Sequence, residues 1–203
     1  MGATGQGAGD EAVHVSVQGL ACRRGGRMLF TGLGFAAEGG EAVHVAGPNG
    51  VGKSSLLRLL SGLLAPFAGT ISITGPISLA DDRLALDSDQ PLGRALRFWA
   101  GLDGQAPPAL DAAMQAIGLA PLADVPVRML STGQRKRATI ARTMASGAPV
   151  WLLDEPANGL DTASLALLGD AVEGHLRTGG IVIAASHQPL PWQSHVALTL
   201  APA

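Results

Sequence analysis

The sequence predicts an α/β fold, a parallel sheet interrupted by a block of helices, and three observations carry that prediction. Strand-like and helical segments alternate at both ends of the 203-residue chain, glycines punctuate the passages between them, and the middle third shows helical spacing alone. Apolar residues make up 47% of the chain, enough to build one core, so a single domain over 12–203 is expected behind a flexible, Gly-rich leader over 1–11.

Taken in order, Val13, Val15 and Val17 alternate with His14, Ser16 and Gln18, the period-two signature of a half-buried strand. Segments 33–38 and 41–46 read as two further strands meeting at Gly39-Gly40, and the second runs directly into Gly47. Leu56, Leu57, Leu59, Leu60 and Leu63 then recur at helical spacing within 54–64, and 70–74 alternates again until Gly75-Pro76 closes it. From about 80 to 147 the spacing is helical, over 91–102, 108–117 and 132–146, with Pro107-Pro108, Pro121 and Pro126 as breaks. Strand character returns at 150–153 and 181–185, on either side of a helix over 162–177. The expected division is a core over about 12–79 and 148–203 and a helical subdomain over about 80–147.

Composition removes several classes of function. A net charge of −2 offers no broad basic field for a nucleic-acid backbone, so no nucleic-acid partner is expected. The lone Cys22 permits neither an internal disulfide nor a cysteine-rich zinc site. No apolar run approaches the roughly 20 residues that span a bilayer, and 1–11 lacks the basic start and apolar centre of a secretory signal, which points to the cytoplasm.

The chemistry is concentrated in a few segments. Gly47-Pro48-Asn49-Gly50-Val51-Gly52-Lys53-Ser54 fits G-x-x-x-x-G-K-[ST] and lies between a strand and a helix, where backbone N–H groups and the helix's positive end can enclose phosphate oxygens. Lys53 is expected against the β and γ phosphates, the Ser54 hydroxyl on Mg²⁺, and Ser55 within the same nucleotide-binding set. Val150-Trp151-Leu152-Leu153-Asp154-Glu155 is an apolar strand ending in two carboxylates, which places both at the edge of the sheet where α/β ligands bind. Such acids can be no more than a polar strand terminus. Beside a phosphate loop they read as a Mg²⁺ ligand, Asp154, and a base for the attacking water, Glu155.

Two further segments narrow the class. Leu130-Ser131-Thr132-Gly133-Gln134, followed by Arg135-Lys136-Arg137, resembles the signature motif of ATP-binding-cassette (ABC) proteins. Asp154-Glu155-Pro156-Ala157-Asn158-Gly159-Leu160-Asp161, with Ser186-His187 beyond it, is similar to that family's acidic strand end, D-loop and switch histidine. The resemblance runs from Val13 to about Leu200 with the motifs in family order. It implies a P-loop ABC nucleotide-binding domain with a RecA-like core, an antiparallel β edge and an inserted helical subdomain. It also implies ATP and Mg²⁺ as cofactors and a homodimer in which two chains sandwich two nucleotides. Ser131, Gly133 and Gln134 would then meet the γ-phosphate bound by the partner, Asp161 would link the two sites, and His187 would organise the attacking water.

This chain departs from the family in three places. Thr132 stands where glycine is more usual, and Arg23-Arg24-Gly25 stands where an aromatic residue usually stacks on adenine. The glutamine that leads into the helical subdomain is replaced near Ala80-Asp81-Asp82-Arg83, so Asp82 is carried as a metal or water contact and Gln90 falls late.

Among ABC proteins, the short chain, the 27–35 segment, the Leu96-Arg97-Phe98-Trp99-Ala100 helix and Ala148-Pro149-Val150-Trp151 are similar to the ATP-binding subunits of cytochrome c biogenesis haem exporters. That resemblance implies a peripheral protein on the cytoplasmic face of the inner membrane, seated on integral membrane permease subunits, with haem handled only indirectly through partner chains. Two readings stand beside it: the ATPase of another small-substrate ABC transporter, and a soluble ABC-type switch acting on a protein. The Phe98-Trp99 pair reads either as a docking contact for membrane subunits or as core.

Overall fold

The structure is a computed structural model that describes residues 12–83 and 85–201, so the leader expected over 1–11 lies outside the described residues. Among the described residues, eight strands form two sheets. An antiparallel three-stranded sheet has the order β2-β1-β4, from β1 (His14–Arg24), β2 (Arg27–Glu38) and β4 (Ala68–Ile73). A parallel five-stranded sheet has the order β5-β6-β7-β3-β8, from β3 (Ala42–Ala46), β5 (Ile77–Ala80), β6 (Val150–Asp154), β7 (Ile181–Ala185) and β8 (Val196–Thr199). Helices α1 (Lys53–Leu60), α2 (Leu92–Leu102), α3 (Pro107–Ala116), α4 (Thr132–Ala145) and α5 (Thr162–Arg177) complete the fold.

Two of these strands are not visible in the periodicity. β5 and β8 are four residues each and lie at the two edges of the parallel sheet, where pairing with one neighbour holds a segment too short to announce itself. β1 and β2 run longer than the alternation suggests. Register shifts between Val17 and Arg23 break the period-two pattern while the pairing continues through them to Arg24 and Arg27.

Parallel strands buried on both faces carry continuous apolar runs, and β6 and β7 are buried at every position. Alternate residues serve different cores. Val150, Leu152, Ile181 and Ile183 pack with β3 and α1 between the two sheets, whereas Trp151, Leu153, Val182 and Ala184 pack against the helical segment and α5. Leu152 is fully buried, and truncating it to alanine is expected to cost about 2–5 kcal/mol.

The register brings the functional segments level with one another. Ala80 of β5 pairs with Leu153, Asp154 with Ala185 of β7, and Ala185 with Val45 of β3. The turns that follow β3, β5, β6 and β7 therefore open on one edge of the sheet, the carboxyl edge.

Cationic side chains lash the helical segment together. Arg137 donates to the Ile117 and Gly118 carbonyls at the end of α3, both at 3.1 Å, and the Arg142 guanidinium lies 3.8 Å over the Trp99 ring. On the same face of β6, His175 of α5 stacks on Trp151 with ring centroids 3.7 Å apart and places Nε2 3.0 Å from the Pro149 carbonyl. That acceptor selects the tautomer with hydrogen on Nε2.

Burial holds the His175 imidazole below its ordinary value of 6.5, partly opposed by the Pro149 carbonyl. The unfolded chain thus takes up a proton that the folded chain resists. This contribution to stability is complete above about pH 6.5 and is lost as pH falls towards the lowered folded value. Thermal melting at pH 7.5 and pH 5.5 is expected to show lower stability at the acid end, and His175→Phe, which keeps the ring stack, is expected to flatten that difference.

Candidate functional site: a phosphate loop facing two strand-end carboxylates

The loop after β3 turns by means of glycine. Gly52 has φ 114°, a left-handed conformation that L side chains rarely adopt, and a Cβ there would lie 3.2 Å from the Phe30 ring. This turn starts α1 at Lys53 with no side chain capping it, which leaves the first N–H groups of the helix unpaired by any cap. Lys53 is buried and donates from Nζ to the Gly47 carbonyl at 2.9 Å and the Pro48 carbonyl at 3.4 Å, so its ammonium is held inside the curl of the loop.

Across from it, Asp154 ends β6 and Glu155 begins the turn. Glu155 has φ 46°, the only positive value outside glycine among the described residues. Its backbone N–H donates to the Ala185 carbonyl at 2.8 Å, which fixes this unusual geometry to β7. The carboxylate bridges two elements: Oε1 lies 3.5 Å from Lys53 Nζ, and Oε2 lies 2.9 Å from Nδ1 of His187. A carboxylate at Nδ1 selects hydrogen on that nitrogen, leaving Nε2 as an acceptor 3.4 Å from the Gln188 amide.

Asp154 is buried, and burial raises its carboxyl above the usual range against the opposing effects of the Ser54 hydroxyl and Lys136. Its Oδ1 has no hydrogen-bond partner. A buried, unpartnered carboxylate oxygen beside the Ser54 hydroxyl is the donor set that a hard cation completes with phosphate oxygens. The residues present therefore fit Mg²⁺.

These groups line one cavity of about 750 Å³, with Ser54, Asp154 and Glu155 on the core side, Asp81 and Asp82 after β5, and Thr132, Arg135, Lys136 and Thr139 from α4. Asp82 is exposed within this lining, while Asp81 is engaged by Arg58 at 3.8 Å. Lys136 was not singled out by its spacing in the sequence, yet its ammonium donates to the Asp154 carbonyl at 2.8 Å. The signal that could have found it is its scarcity, since Lys53 and Lys136 are the only two lysines in the chain.

Other expected residues occupy different surroundings. Ser55 is buried against the Cys22 thiol, so what it offers a phosphate is its backbone N–H. Ser131 caps α4 in a closed capping box: Oγ accepts from Gln134 N at 3.2 Å, and Ser131 N donates to Gln134 Oε1 at 2.8 Å. The Gln134 side chain is thus spent on its own helix, while the Ser131 hydroxyl hydrogen remains available to an anion. Gly133 has a packing reason as well, because a Cβ there would lie 2.9 Å from the Gly159 carbonyl. Asp161 caps α5 by accepting from Ser164 N at 2.8 Å, which lowers its carboxyl, and it stands outside the lining of the cavity. Arg23 lies 4.7 Å over Phe67, so its plane is already occupied, whereas Arg27 and Leu29 border the phosphate loop at Pro48–Val51 in a smaller cavity of about 140 Å³.

Residues 30–158 match the ABC transporter family. The cytochrome c biogenesis ATP-binding export protein of Novosphingobium aromaticivorans is 56% identical to this chain over 84% of it and 87% of that protein. The chain belongs to the ABC transporter ATP-binding family, in the branch of these export proteins. The corresponding protein of Zymomonas mobilis is 53% identical over 89% of this chain and 81% of its own length. Among solved structures, an ABC transporter ATP-binding protein of Pyrococcus furiosus superposes with a TM-score of 0.81 at 23% identity, covering 92% of this chain and 97% of that one, a likeness of fold. The cbiO1 protein of Clostridium perfringens, part of the transporter complex cbiONQ, superposes at 0.73 with 26% identity over 88% of this chain and 80% of its own. The chain is an ATP-hydrolysing ABC subunit; Ser54 and the two strand-end acids line one cavity, and His187 reaches it through Glu155.

The capping box has a measurable value separate from any ligand. Ser131→Ala is expected to cost about 1 kcal/mol of stability in urea denaturation. Ser131→Asp keeps an N-cap acceptor and is expected to retain stability while abolishing ATP turnover, because it points a negative charge where an anion must sit.

Proposed function

We propose that the chain powers the haem exporter, or haem-chaperone release complex, of cytochrome c biogenesis, as a homodimer on integral membrane subunits at the cytoplasmic face of the inner membrane. The observation that carries the catalytic part is the continuous contact from Lys53 through Glu155 to His187 beside the unpartnered Asp154 oxygen. The name shared by the relatives at 53–56% identity supports the cytochrome c part. Haem reaches this chain only indirectly, through the membrane partners.

Without nucleotide, Glu155 is held by Lys53 and His187. ATP brings phosphates to the loop of residues 47–54, and Lys53, already at the loop carbonyls, turns to the β and γ phosphates and releases one carboxylate oxygen. Glu155 then accepts a proton from a water as its oxygen attacks the γ-phosphorus and the bond to the bridging oxygen breaks, giving ADP and phosphate. His187 positions Glu155 throughout. Ser54 and Asp154 would hold Mg²⁺, which supplies charge neutralisation for the phosphoryl oxygens, with Asp82 at the rim as a water contact. Ser131 and the unpaired N–H groups of α4, with Gly133, receive the γ-phosphate held by the partner chain, an anion at a helix N-terminus. Asp161 holds α5 in place beside that interface.

No described helix is long and apolar enough to cross a membrane, so attachment depends on partners. The apolar pair in α2 divides between the two roles open to it. Trp99 is half-buried, packed on the core and fixed by Arg142 and by donation from Nε1 to the Ala85 carbonyl at 2.6 Å, whereas Phe98 is 63% exposed on a groove of about 330 Å³ that both rings line with Asp87, Gln90 and Arg94. This groove is the face offered to the membrane subunits.

Two outcomes test these assignments. Glu155→Gln is expected to bind ATP and to lower turnover by about 10²-fold or more, measured as phosphate release, and near-normal turnover would overturn the base assignment. Phe98→Glu is expected to remove the protein from the membrane fraction of cells co-expressing the membrane subunits. Retained attachment in that variant would count against the α2 groove.

A further inference from the structure

Lys136 has no part in the steps above, yet its position is specific. It sits in the second turn of α4, and its ammonium reaches across the cavity to the Asp154 carbonyl at 2.8 Å. Burial lowers its pKa, and the carboxylates facing it, Asp154, Asp82, Glu155 and Asp81, pull the other way. Among the described residues, no other side-chain hydrogen bond joins α4 to the end of β6. The first turn of α4 touches the same 154–161 segment a second time, through the close approach of Gly133 to the Gly159 carbonyl. The helix start is thus held to the strand end at two points, one a packed backbone and one a charged hydrogen bond.

These two points belong to different nucleotide sites. Asp154 and Glu155 face the ATP bound by their own chain, while Ser131 and Gly133 face the ATP bound by the partner. We infer that Lys136 is a positioning residue that couples the two: it transmits occupancy at its own chain's Asp154-Glu155 to the anion-binding end of α4 presented to the other chain. The inference rests on the sandwich dimer proposed above. Nucleotide entering the cavity changes the charge in front of the Lys136 ammonium, and a single half-buried contact makes that change felt at the helix start. A half-buried cation joined to a strand end by one carbonyl has two discrete arrangements, bonded and released, which is what coupling between sites requires.

Equilibrium binding of ATP to the assembled complex, in the slow-hydrolysing Glu155→Gln background, reads the coupling without relying on turnover. With two sites the Hill coefficient can reach 2, and a value clearly above 1 is expected with Lys136 present. Adding Lys136→Met is expected to bring it to 1, and Lys136→Arg, which keeps a long cationic donor, is expected to restore it. If the methionine variant does not accumulate folded, Lys136→Gln is compared with Lys136→Arg in the same assay, with thermal melting to show that both are folded. An unchanged Hill coefficient in the folded neutral variants overturns the inference, as does a coefficient of 1 with Lys136 intact. Failure of the dimer reading is seen separately, as Glu155→Gln that remains monomeric with ATP in light scattering.

Discussion

Strand β6 is the member on which the site depends. It lies inside the parallel sheet with neighbours on both sides and apolar layers on both faces, so nothing polar is tolerated along it until Asp154. Where the strand leaves the sheet, two carboxylates emerge together into a region already crowded by the ends of β3, β5 and β7. The arrangement is costly. A buried acid with an unpartnered oxygen and a glutamate in the left-handed region both raise the energy of this part of the fold. The surrounding cores, which bury Leu152, Leu153, Ile183 and their neighbours completely, hold it in place.

The side chains that engage these acids come from elements distant in sequence, Lys53 from α1, Lys136 from α4 and His187 after β7. A chain with 15% charged residues thus concentrates its two lysines around one strand end. The remaining basic residues of the 135–137 run are spent internally, Arg135 on the carbonyls of Arg128 and Leu130 and Arg137 at the end of α3. That run is a set of braces between helices, which accounts physically for its presence.

Much of this was legible in the residues because the decisive signals are local. A phosphate loop needs glycine at turns such as Gly52 and a lysine and serine at fixed offsets. A fully buried parallel strand needs an unbroken apolar run before its acids, and a capped helix needs Ser131 with Gln134 three positions on. Other features are set by contacts between distant segments and leave little trace. The edge strands β5 and β8 are too short to show a period, the shifts in β1 hide its length, and the exposure of Phe98 beside the half-buried Trp99 depends on what packs against α2. Arg23 illustrates the same limit, since its position near the loop suggests a base-stacking plane, while Phe67, remote in sequence, already covers it.

Residue type and spacing alone set the chemistry on offer: a loop that can wrap phosphates, two carboxylates at a strand end and a helix start that can meet an anion. Each follows from residue type and spacing over fewer than about ten positions, the range in which backbone geometry alone dictates arrangement. Only the tertiary structure decided which of those groups meet. Hydrogen-bonded register aligned Ala80, Asp154, Ala185 and Val45 at one edge. Side-chain packing then carried Lys136 to the Asp154 carbonyl and left Asp161 outside the cavity. Contacts of that kind arise from long-range packing, where one residue's environment is set by segments that its own neighbours in sequence do not encode.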